Sequence, residues 1–138
     1  MNLKIDLPPL ADQRRVVYES QIKNACEALR ANLDAPVYSV PAGTDAGAYN
    51  CAHLKTESEG WMPPEPEIVD AWFRQFQNAI PDYNTDEKLG ALLGITRTHS
   101  VRDWRKGTKP VPYGIWRRFL IMTGRVVQEI TPVLGFFE

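Results

Sequence analysis

Apolar residues recur every three or four positions in four stretches of this chain. Tyr18, Ile22, Ala25, Cys26, Leu29 and Leu33 make one stripe, with Arg14, Arg15, Glu19, Lys23, Glu27 and Arg30 on the other faces. The spacing predicts a long helix over 11–34, because 3.6 residues per turn bring such positions onto one side. Pro8, Pro9 and Pro36 bracket it, since proline tolerates a first turn but not an interior. Ile68, Val69, Trp72, Phe73, Phe76 and Ile80 predict a second helix from Pro66 to Pro81. Glu65, Glu67 and Asp70 lie near its positive end. Trp116, Phe119 and Leu120 predict a helix led by Pro112 and stopped near Gly124.

Residues 85–107, TDEKLGALLGITRTHSVRDWRKG, predict two short helices that meet at a glycine. Thr85 is a natural N-cap, and Leu89, Leu92 and Leu93 make one apolar face. Gly94 suits the left-handed conformation that ends a helix. Ile95 is expected to plug the angle, Thr96 or a neighbour to cap the second helix, and Gly107 to close it. Val101 and Trp104 then point inward. The face opposite them carries His99, Arg102, Asp103 and Lys106, with Thr98 and Arg105 at its margins.

Between the helices the signals weaken. Residues 37–40 read as a short strand and 41–50 as a loop. Residues 126–130 read as a strand or a helical turn. The apolar tail, 125–138, is expected to pack on the amino-terminal half or on another subunit. The expected domains are 1–62, an N-terminal helical and irregular region for dimerisation or partner contact; 63–124, a DNA-binding domain; and 125–138, the tail. Gly60, Pro63 and Pro64 mark the first boundary.

Charge sharpens this picture. The net charge is −1, yet residues 1–84 hold seven Lys/Arg against twelve Asp/Glu, and 85–138 hold nine against five. Within 95–125 there are eight basic residues and only Asp103 as acid. Such an excess is the footprint of a polyanion-binding surface. Arg102 is suited to a bidentate contact with guanine, Asp103 to accept from cytosine and Thr98 to touch a thymine methyl. Arg105 and Lys106 suit phosphate, and Lys109, Tyr113 and Arg117 suit the flanking backbone. Arg117 and Arg118 are expected to look outward. The candidate DNA-binding residues are therefore Arg97, Thr98, His99, Arg102, Asp103, Arg105, Lys106, Lys109, Tyr113 and Arg117.

Those residues also carry a resemblance. LGALLGIT followed by VRDWRKG resembles the helix-turn-helix of phage-repressor regulators, the Cro and C1-like family. There a Leu-Gly-Val-Ser turn leads into a helix with an inward Val and Trp. KPVPYGIWRRFLIMTG is similar to a segment that follows this motif in small phage and mobile-element regulators. The resemblance covers roughly 66–124. It implies a mainly α fold, a lambda-repressor-like bundle of four or more helices, here with an N-terminal long helix and a short irregular or β segment. It also implies a sequence-specific regulator of transcription that reads the major groove of double-stranded DNA with 97–106, as a homodimer and by default a repressor. One departure stands out: Val101 and Trp104 fall seven and ten residues after Gly94, one more than the usual six and nine.

Other chemistry is thin. Two cysteines make no disulfide framework and fit a reducing compartment. Cys51 and His53 offer two metal ligands without a second pair at zinc spacing. There is no phosphate-binding P-loop and no dinucleotide fingerprint. No enzyme, no metal and no cofactor is expected. No apolar run reaches membrane-spanning length, and MNLKIDLPPLADQRR lacks the order of a signal peptide. The expectation is a cytoplasmic, nucleoid-associated protein. Two rivals fit the same residues: a protein-interaction or antitoxin-type partner working through 11–34, and an accessory DNA-binding factor of a mobile element.

Overall fold

The structure is a computed structural model that describes residues 6–137. The opening MNLKI, part of the stretch read above for a leader, and Glu138 lie outside the described residues. The described residues form five α-helices and no strand. The chain divides into two compact units, 1–38 and 39–138.

The first unit is built on α1, Leu10–Ala31, followed by a 3-10 turn at Asn32–Asp34. Pro9 stands at its N-cap with φ −52°. The Gln13 side chain donates to Pro8 O at 2.7 Å. Arg15 and Glu19, one turn apart, pair at 3.2 Å. No residue of α1 is buried. The stripe therefore forms as expected, but it lies at an open surface.

In the second unit, 39–62 holds three single 3-10 turns, Ala46–Ala48, Ala52–Leu54 and Glu57–Glu59. Among the described residues neither the strand expected at 37–40 nor the strand or helical turn expected at 126–130 forms, and no neighbouring strand serves as a ladder partner. The Gln75 amide takes that part for Val40, donating to its carbonyl at 2.6 Å. The division falls after Tyr38 rather than near 59–65, because 39–62 packs on the helices that follow it.

α2, Pro66–Ala79, buries Ile68, Val69, Trp72, Phe73 and Phe76. α3, Asp86–Leu92, starts at Thr85, whose side chain accepts from the Lys88 N–H at 3.2 Å. It stops at Gly94, with φ +80°. There Ile95 N–H reaches Gly90 O at 2.8 Å and Gly94 N–H reaches Ala91 O at 3.1 Å. This pair of reversed bonds satisfies the last carbonyls and turns the chain. α4, Ser100–Lys106, packs on α2 and α3. It ends at Gly107, φ +78°, where a Cβ would stand 2.6 Å from Pro66 Cγ. Only glycine allows the end of α4 to lie so close to the start of α2. α5, Tyr113–Met122, follows Pro112 and buries Trp116, Phe119 and Leu120.

The core sits where these faces meet. Phe73 and Phe119 touch edge to face at 4.9 Å, and Trp116 lies against Phe119 at 5.2 Å. Full burial of side chains this size contributes roughly 1.5–3 kcal/mol each, which is why the second unit needs no disulfide.

Thr96 does not cap α4. The turn runs to His99, which takes the N-cap position, and helix begins at Ser100. Val101 and Trp104, 2% and 5% exposed, set the helix register by their burial. The segment between Gly94 and α4 thus runs from Ile95 to His99.

Candidate nucleic-acid interface

α4 presents two unlike sides. Val101 and Trp104 face the core, while Arg102 and Lys106 are exposed. Arg97, Thr98 and His99, in the turn before the helix, are exposed too, as is Lys109 after it. Arg102 Nη2 lies 3.3 Å from His99 Nδ1, a contact that holds the guanidinium toward the start of the helix. Asp103 is half-buried, and its carbonyl accepts from the Thr108 and Lys109 N–H groups at 3.0 and 3.4 Å. Among the described residues, Arg97, Arg102, Lys106 and Lys109 around the outward face thus form no ion pair.

Three expected members are placed differently. Arg105 does not lie at the open margin of α4. Its side chain is 13% exposed and pairs with Asp70 and with Asp86, each at 2.9 Å. It also donates to Gln77 Oε1 and to Asp70 O, and it lies 5.4 Å from the Phe73 ring centroid. One side chain thereby ties α4 to α2 and α3, because two carboxylates from those helices converge on it. Arg117 does not look outward. It donates to Leu54 O at 3.1 Å and pairs with Glu129 at 3.3 Å. Tyr113 packs edge-on against Trp61 at 5.2 Å and points its hydroxyl at Glu129. Arg118, its neighbour, is exposed as expected.

His53 is the residue whose role the sequence least foreshadowed. It is 4% exposed, between Trp72 and Trp116. The Trp116 indole N–H donates to His53 Nδ1 at 3.1 Å, and the Trp61 indole N–H donates to His53 O. The imidazole therefore carries its proton on Nε2. The Arg125 guanidinium covers the Trp72 ring at 4.0 Å. This cluster fastens 51–61 to α2 and α5. Among the described residues, no three His, Cys, Asp or Glu side chains gather as a metal site. Cys26, on the stripe of α1, and Cys51 are exposed thiols.

Burial first, and the Arg125 charge second, hold the His53 imidazole below its ordinary value. The unfolded chain takes up a proton near pH 6.5, and the folded chain resists it. Stability is therefore complete above about pH 6.5 and declines as the pH falls below it. Urea midpoints measured from pH 7.5 down to 5 should drop for the native protein. They should drop less for His53→Asn, which has nothing to titrate there. Parallel slopes would exclude His53 as the group responsible.

The tail does not form a buried edge. Val127, Leu134 and Phe137 are 78%, 94% and 96% exposed. No helix among the described residues is long and apolar enough to cross a membrane. Set against models of protein families, curated proteins and solved structures, the chain matches none of them.

Proposed function

We propose that this chain is a sequence-specific regulator that binds double-stranded DNA, with α3, the turn at Gly94 and α4 acting as a helix-turn-helix of the phage-repressor kind. The observation that carries this reading is the cationic outward side of α4, opposite the buried Val101 and Trp104. A helix seated through one side in a core leaves the other side free to enter the major groove. Arg102 sits at the centre of that side, near the helix start, where base-reading residues stand in such motifs. Arg97, Thr98 and His99 extend it along the turn. Asp103, half-buried, is at its margin. Lys106 and Lys109 supply phosphate contacts, which set register and affinity rather than sequence.

One helix of this length meets few base pairs. A homodimer places two such helices about 34 Å apart on the two halves of an inverted repeat. Occlusion of a promoter by that dimer is the mechanism we favour, in the cytoplasm and on the nucleoid. The chain acts by binding, not as an enzyme. The test is selection of bound sequences from random duplex DNA by the whole chain. An enriched inverted repeat is expected, with affinity that falls steeply as salt rises. No enrichment at low salt would reject the reading.

A second reading has an observation of its own. Ile22 and Leu29, on the stripe of α1, are 46% and 38% exposed. A face of that kind suits a helical partner, as in an antitoxin-type protein, and the same chain can hold both roles. An accessory DNA-binding factor of a mobile element differs only in where it binds, which genome-wide mapping of bound sites would reveal.

A further inference from the structure

An open groove of about 540 Å³ lies between α5 and the chain that follows it, lined by Tyr113, Arg117, Arg118, Ile121, Gln128 and Glu129 among others. One oxygen of Glu129 sits there between two donors. The Tyr113 hydroxyl donates to Oε1 at 3.5 Å, and Arg117 Nη2 lies 3.3 Å from the same atom. Arg117 Nε is buried with no hydrogen-bond partner. Arg118 is exposed, and among the described residues it forms no ion pair. A phenol and one guanidinium thus meet on a single carboxylate oxygen, and the Arg118 guanidinium lines the same groove.

That carboxylate is weakly held. The Glu129 side chain is 53% exposed, and residues 127–137 form neither helix nor strand. Both contacts to Oε1 are long for charged groups. An exposed pair of this kind adds little to stability. The donors, by contrast, stand on α5 and are anchored: Tyr113 by Trp61, Arg117 by Leu54 O.

We propose that Tyr113, Arg117 and Arg118 form a phosphate-binding groove for the nucleic-acid backbone, and that Glu129 fills it as an internal stand-in until a phosphodiester displaces it. The inference rests on the reading of the chain as a DNA-binding protein. Phosphate is the matching anion because its several oxygens can take the phenol and both guanidiniums together, whereas Glu129 meets only the phenol and Arg117, through one oxygen. The position fits as well. Seven residue steps separate Lys106 from Tyr113, so the groove lies within about 25 Å of the end of α4, inside the span of one DNA turn. Contact there adds affinity without sequence preference, and Glu129 tempers it.

The test is binding of a random-sequence duplex to the full chain by fluorescence anisotropy at several salt concentrations. Glu129→Gln should bind roughly 3–5-fold tighter. Its salt dependence should steepen by about one phosphate contact. Adding Arg118→Gln should cancel the gain. Glu67→Gln removes the same charge from the exposed first turn of α2 and should change little. Equal effects of Glu129→Gln and Glu67→Gln, or none from Glu129→Gln, would overturn the groove while leaving DNA binding by α4 intact. A second arm uses pyrophosphate and NMR shifts of the arginine side chains. If no duplex binds the wild-type chain, yet pyrophosphate binds Glu129→Gln more tightly than wild type, the DNA reading is lost and the groove stands as a site for free phosphate compounds. If neither duplex nor pyrophosphate distinguishes the two proteins, the groove is refuted.

Discussion

Replacing Arg105 with methionine should lower the unfolding free energy by about 2–3 kcal/mol, and Lys106→Met, one residue away, by less than about 0.5 kcal/mol. Arg105 is the hub of a part-buried network. Its two ion pairs, to Asp70 and Asp86, are both 2.9 Å long, and its side chain is 13% exposed. Methionine fills much of the volume and keeps the packing near Phe73, but it leaves both carboxylates without this partner. Asp70 keeps Arg74, at 3.0 Å; among the described residues Asp86 keeps the Gln77 amide, at 3.3 Å. A lost partner in a fully buried pair costs more, about 3–5 kcal/mol. The carboxylates here are each 36% exposed, and solvent recovers part of the loss. For a unit of this size the change corresponds to a fall in Tm of roughly 10–20 °C. Urea or thermal melts followed by circular dichroism measure it. An unchanged melt together with weakened DNA binding would return Arg105 to the phosphate-facing role that the sequence suggested.

The double substitution Arg102→Ala, Lys106→Ala should raise the Kd for the selected DNA site by about a hundredfold to a thousandfold and leave the melting curve where it was. A bidentate arginine–guanine contact is worth about 1–3 kcal/mol of discrimination, and a lost phosphate contact adds to it. Both side chains are exposed, so no packing is lost. The two singles should differ in kind. Arg102→Ala should relax the preference at one base. Lys106→Ala should weaken every sequence alike and make the salt dependence shallower by about one contact. Anisotropy titrations against the selected site and against point variants of it separate these effects. Native affinity in the double variant would remove α4 as the reading helix.

Much of the helical order was legible because it depends on near neighbours. Ile68, Val69, Trp72, Phe73 and Phe76 are spaced for one face, and all five are buried. Thr85, Gly94 and Gly107 act within a turn of themselves, through a cap bond or a positive φ, so their roles can be read in place. The start of α4, expected at Thr96 or a neighbour, lies at His99 because the length of the turn is set by where Val101 and Trp104 find cover, not by the local cap. Residues 39–62 have no apolar period, and nothing near His53 in the chain announces that it lies between Trp72 and Trp116.

Arg105 and Lys106 make the division plain. Adjacent, alike in charge and on one short helix, they are indistinguishable by composition or period. One is captured by carboxylates 35 and 19 positions earlier in the chain; the other stands in solvent. The amino-acid order alone determined where helices run, where they stop and that the 95–125 stretch is cationic, since propensity, capping and charge are local properties. Which of those cations are free, and which have become struts, only tertiary structure decided, because ion pairing and burial depend on distances through space that the order of residues does not contain.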